Sequence, residues 1–126
     1  MAQPNIVGVS TILGITTAVI PAALGETVIL SNAANSGCVM KVNTIIAANN
    51  AKNSNNCQLS VTYHTGAAGA GSTFSIARNV GLNSTSTLII TDKASSFYLE
   101  ENQSLSVETT LANNISFLVS YDQIFA

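Results

Sequence analysis

The chain has 126 residues, of which 47% are apolar and only 8% charged, with a net charge of -2. An ordinary soluble domain carries about 25% charged residues; here Asn, Ser, Thr, Ala and Gly take their place, giving a surface that is wettable yet easily desolvated. The four basic residues, Lys41, Lys52, Arg78 and Lys93, are scattered, which argues against nucleic acid as a partner, because phosphate backbones are bound by clustered Lys and Arg.

The length predicts one domain over 1–126, large enough for its own core. Residues 1–25 carry no charge, and Ile6 to Leu24 is apolar enough to pass a membrane-span window. Gly8, Gly14 and Pro21 interrupt it, however, and no Lys or Arg flanks it. The reading is therefore strands, with no membrane partner and no secretory start. Asn5 to Ile12 and Ile15 to Ile20, rich in Val, Ile and Thr, read as two short strands or one bent at Gly14. Residues 1–14 are also a candidate arm or edge strand. Glu26 to Leu30 reads as the next strand, followed by a loop of turn formers, Ser31 to Gly37.

Cys38 to Ala48 reads as a longer strand with Cys38, Met40, Val42 and Ile46 on one face. Asn49 to Asn56 reads as an exposed loop, and the following strand directs Cys57, Leu59, Val61 and Tyr63 inward. Pairing these two strands as a hairpin sets Ile46 opposite Leu59 and Val42 opposite Tyr63, so their faces match. Gly66 to Gly71 reads as a flexible hairpin tip; it lacks the Gly-Lys-Ser/Thr ending of a phosphate loop. Phe74, Ile76 and Val80 are the inward residues of the next strand, and Leu88 and Ile90 those of Thr87 to Thr91. Phe97 to Leu99 is a short strand before an acidic turn.

Leu105 to Ile124 alternates most regularly, with period two on both sides of Ala112-Asn113-Asn114. A three-residue turn there sets Leu111 opposite Ile115, Val107 opposite Val119 and Leu105 opposite Tyr121, making one face wholly apolar. Asn113 or Asn114 can supply the left-handed conformation of such a turn. Helical periodicity is absent throughout. Eight to nine short strands with regularly spaced turns predict an all-β, antiparallel β-sandwich, either jelly roll or immunoglobulin-like.

The candidate chemistry is sparse. Cys38 and Cys57 lie far apart in the hairpin register and read as buried thiols packed as small hydrophobes. Two Cys and one His make no recognised zinc spacing. His64, the sole histidine, could be imagined with Asp92 and a serine as a triad, but no Gly-x-Ser-x-Gly elbow is present; the expectation is a surface histidine at a strand end. Glu100, Glu101 and Asp92 could offer oxygen ligands to calcium, though solvated turn carboxylates are the plainer reading. Asn83, Asn102 and Asn114 begin sequons that matter only in a secreted eukaryotic protein. The expectation is no enzyme, no cofactor and no metal.

Three passages carry a resemblance. The opening Met1-Ala2-Gln3-Pro4-Asn5-Ile6-Val7-Gly8-Val9-Ser10-Thr11-Ile12, the run Phe97-Tyr98-Leu99-Glu100-Glu101-Asn102-Gln103-Ser104-Leu105 and the ending Val119-Ser120-Tyr121-Asp122-Gln123-Ile124 resemble small virion structural proteins of tailed phages of marine bacteria, including cyanophages. Asn102 stands where that group tends to have Gly. The resemblance implies a non-enzymatic β-sandwich on the capsid exterior, made in the host bacterial cytoplasm. It would be a decoration or cement protein whose partners are the major capsid protein and copies of itself, with homo-oligomer formation. Asn5, Ile6, Val7, Val9 and Ile12 would be its interface residues, through strand addition. The alternative is a tail, neck or fibre module that binds a host surface through Asn49 to Asn56 and Gly66 to Gly71. Only 6% of residues are aromatic and Trp is absent, which weighs against sugar binding.

Overall fold

A computed structural model describes residues 8, 10–51 and 55–125. Alternating apolar and small polar residues produce nine strands among the described residues: β1 (Thr11–Val19), β2 (Thr27–Asn32), β3 (Cys38–Asn49), β4 (Cys57–His64), β5 (Thr73–Leu82), β6 (Thr87–Thr91), β7 (Phe97–Leu99), β8 (Gln103–Thr109) and β9 (Ile115–Phe125). Sheet A has the order β1-β9-β3-β6, with β7 added against the Met40–Val42 part of β3; sheet B has the order β2-β8-β4-β5. All pairings are antiparallel.

The pairs β1·β9, β2·β8, β3·β6 and β4·β5 nest one inside another. The chain is thus a single long hairpin, with its tip between β4 and β5, rolled into two facing sheets. That nesting makes the sandwich a jelly roll rather than an immunoglobulin-like fold. Phe117, Ile45, Leu59, Leu99, Leu105, Ile115, Val61 and Val107 meet between the sheets at 1% exposure or less. Each contributes on the order of 1.5–3 kcal/mol by leaving water.

Two sequence expectations are corrected. Leu105, Val107, Val119 and Tyr121 do face inward, but β8 and β9 do not pair; they lie in opposite sheets, and the turn between them crosses the sandwich. Asn113 holds the left-handed conformation there, with φ of 65°. Likewise β3 and β4 belong to different sheets, so Ile46–Leu59 and Val42–Tyr63 are not hairpin partners. Alternation reports which face is buried. It does not report whether the matching face sits alongside in one sheet or opposite in the other.

A third correction lies within β3. A bulge between Val42 and Thr44 inserts one residue, and an inserted residue reverses the alternation beyond it. Ile45 and Ala47 are therefore fully buried, while Ile46 turns outward. Phe74, expected inside, is 59% exposed. Ile76, Val80, Leu88 and Ile90 pack partly against the core. Asn49 and Ala51, expected in an exposed loop, are buried, while Asn50, Asn55 and Asn56 are exposed.

Candidate interaction surfaces

Sheet A presents an outer face with a distinctive composition. The registers place Ala18 beside Leu118, Leu118 beside Ile46, and Ile46 beside Ile89. One apolar band thus crosses all four strands, and Leu118 and Ile89 are 41% and 62% exposed. The outward neighbours along the strands, Thr16, Ser120 and Thr44 on one side and Ser116, Ala48 and Thr87 on the other, carry no charge. Lys41 and Asp122 face each other only further along.

This face ends at β1, an edge strand whose one ladder partner among the described residues is β9. Edge strands are ordinarily guarded by charge, Pro or short length. Thr11–Val19 is nine residues long, with no charge and no Pro. Of the predicted interface residues, Ile12 sits on this strand at 57% exposure, facing outward with Ile124 as its cross-strand neighbour. Asn5, Ile6, Val7 and Val9 lie outside the described residues.

His64 is not a surface residue. It is 1% exposed at the end of β4, on the outer side of sheet B. Its Nε2 lies 2.7 Å from Ser106 Oγ and 3.8 Å from Glu26 Oε2, and its Nδ1 has no hydrogen-bond partner. A triad needs the acid on the nitrogen opposite the serine; here both approach the same nitrogen. Asp92, the imagined third member, instead caps a single 3-10 turn by accepting from the Ala94 amide.

Beside His64, Gly66 to Gly71 form a folded flap rather than a loose tip. The Gly69 amide donates to Ser104 Oγ, which in turn donates to the Gly66 carbonyl; the Ala68 amide donates to Ser31 Oγ. The glycines are required by shape. A Cβ on Gly66 would fall 2.8 Å from the Ala70 carbonyl carbon, and Gly71 has φ of +79° with Thr65 Oγ1 within contact range. The pinning residues Ser104 and Ser31 are distant in sequence, so no local signal marks the flap.

Cys38 and Cys57 are free, buried thiols. Burial pushes the Cys57 thiol pKa up, partly opposed by a hydrogen bond with Thr109, so the reactive thiolate is disfavoured. The Tyr121 hydroxyl is raised by burial and then by Cys38. The expected calcium carboxylates do not assemble: among the described residues no three His, Cys, Asp or Glu are grouped to hold a metal ion. Both Glu101 carboxylate oxygens are shielded and without a hydrogen-bond partner. Among the described residues no helix is long and apolar enough to cross a membrane.

Two residues that sequence reasoning passed over hold the loops. Asn32 is fully buried and donates through Nδ2 to the carbonyls of Cys38 and Leu99. Asn49 donates to the carbonyls of Asn55 and Leu82 and accepts from the Ala51 amide. In sequence both look like ordinary turn asparagines.

No family model matches the chain, and no curated protein does. Among solved structures it is similar to a chain in the crystal structure of the T13 IBDV viral particle. The TM-score is 0.52 at 11% identity over 93% of this chain. This chain spans about a third of that chain's length (32%). At that identity the likeness is one of fold.

Proposed function

We propose that this chain is a non-enzymatic structural protein of a tailed-phage virion, a decoration or cement protein on the outside of the head. The observation that carries the reading is the apolar band across the outer face of sheet A, flanked by uncharged residues and ending at β1, a strand with neither charge nor Pro. Such a face loses little on desolvation and gains by covering apolar surface. The free edge offers backbone donors and acceptors to an incoming strand. The resemblance of three passages to marine phage virion proteins and the fold likeness to a chain of a viral particle support the same reading. In mechanism, each copy binds the major capsid protein and its own neighbours. Symmetry then multiplies modest contacts through effective concentration.

Residues 1–10 precede β1 and include most of the predicted interface. Deleting them is expected to leave the sandwich folded, with its circular dichroism and Tm close to those of the full chain, while reducing attachment to purified particles at least tenfold in a co-sedimentation titration. Undiminished saturation by the truncated protein would remove the N-terminal segment from the mechanism.

A further inference from the structure

Two neighbouring strands form one narrow side of the sandwich, β1 at the end of sheet A and β2 at the end of sheet B. Neither Thr11–Val19 nor Thr27–Asn32 contains a charged residue. Among the described residues, four of the nine large apolar side chains left exposed belong to this side: Ile12 and Leu13 on β1, Ile20 directly after it, and Val28 on β2. Ile12 and Leu13 point to opposite faces of sheet A, because successive residues of a strand alternate. A partner lying flat on the outer face would cover Ile12 and leave Leu13 in water. A strand laid alongside β1 reaches both. All nine residues of β1 pair with β9 on one side. Among the described residues the backbone groups on its other side have no ladder partner, so they can receive such a strand.

A second copy of β1 meets every requirement of that strand. Identical chains bring identical charges to a two-fold contact, and here β1 and β2 bring none. Antiparallel pairing with Ile15 on the two-fold axis sets Ile12 opposite Ala18, Leu13 opposite Thr17 and Gly14 opposite Thr16 of the second copy. Each opposed pair then shares a face, and the large Ile12 lies beside the small Ala18. Ala18 is where the apolar band of sheet A ends in each copy. Ile12 of the second copy prolongs it.

We infer that two copies of this chain join through β1, antiparallel about a two-fold axis at Ile15, so that sheet A runs unbroken from one copy into the other. The inference rests on the reading of β1 as a docking edge and names the strand that occupies it.

Disulfide trapping tests the register. Ile12→Cys and Ala18→Cys, both at exposed outward positions, are expected to cross-link when the two variants are mixed and oxidised, since opposed Cα atoms lie within disulfide reach. Either variant alone should not cross-link, because like positions stand six residues apart, about 20 Å. The native thiols Cys38 and Cys57 are buried and do not compete. Analytical ultracentrifugation of the full chain should show a monomer–dimer equilibrium, weakened at least about tenfold by Leu13→Lys with the Tm retained. A chain that stays monomeric at hundreds of micromolar, a trimer, or equal cross-linking in the single variants would overturn the pairing. Co-sedimentation with particles separates this inference from the virion reading. Attachment by a chain that stays monomeric would overturn the β1 pair alone, and a cross-linked dimer that never attaches would uphold the pair and contradict the virion role.

Discussion

Changing Leu118 and Ile89 together to lysine is expected to abolish attachment to particles while leaving the protein folded. Both side chains project from the outer face of sheet A at 41% and 62% exposure, so neither supports the core. They stand on either side of Ile46 in the apolar band, and their replacement puts two positive charges into a stretch whose strand neighbours carry none. In a docked state burial of the part still exposed, roughly half of each side chain, would contribute about 1–1.5 kcal/mol per residue. Each lysine would add the cost of desolvating an unpaired ammonium. The combined loss exceeds about 3 kcal/mol per copy, more than about a hundredfold in affinity, and symmetry compounds it. Co-sedimentation with particles reads the affinity, and thermal unfolding reads the fold, with a Tm change of a few degrees at most. Retained attachment by the double variant would place the contact on another face. Serine at the same two positions should show an intermediate loss, separating lost burial from added charge.

Asn32→Ala is expected to cost about 2–4 kcal/mol of stability. Its Nδ2 spans two segments, donating at 3.0 Å to the Cys38 carbonyl and at 3.1 Å to the Leu99 carbonyl. Its Oδ1 accepts from Ser36 Oγ. Alanine removes the side-chain donor to two buried carbonyls and the acceptor of the Ser36 hydroxyl, at about 1–3 kcal/mol for each group that water cannot reach. Against a total stability of about 5–15 kcal/mol, this is a drop in Tm of roughly 10 °C for a domain of this size. Urea unfolding with an unchanged m-value would confirm that the folded state alone is affected. Asn32→Asp should do no better, because a carboxylate supplies no donor to either carbonyl. A loss below about 1 kcal/mol would mean that Ser36 or water takes over the two carbonyls.

How much of this was legible beforehand follows from what alternation encodes. Period two identified Leu105, Val107, Val119 and Tyr121 as inward, and all four are buried. It could not reveal that β8 and β9 lie in opposite sheets, because inward faces match equally well across a ladder or across the core. The bulge between Val42 and Thr44 leaves no mark in composition, so Ile46 was assigned to the wrong side, and with it one residue of the sheet A band. His64 looked like a surface residue because Gln58, Ser60 and Thr62 alternate with it on the same side of β4. Its burial comes from the tertiary setting at that end of sheet B, beside the Gly66–Gly71 flap. Phe74 was read as core from its residue type, yet it stands exposed beside Tyr63. The aromatic count weighed against sugar binding, but counting does not see clustering; Tyr63, Phe74, Phe97 and Tyr98 come together only after the roll closes.

The central claim is a place on the particle, and immunogold labelling of intact virions with antibody to this protein tests it most directly. The account predicts gold spread evenly over the head. Gold confined to the tail, neck or fibres would contradict it and make the chain a tail-associated module.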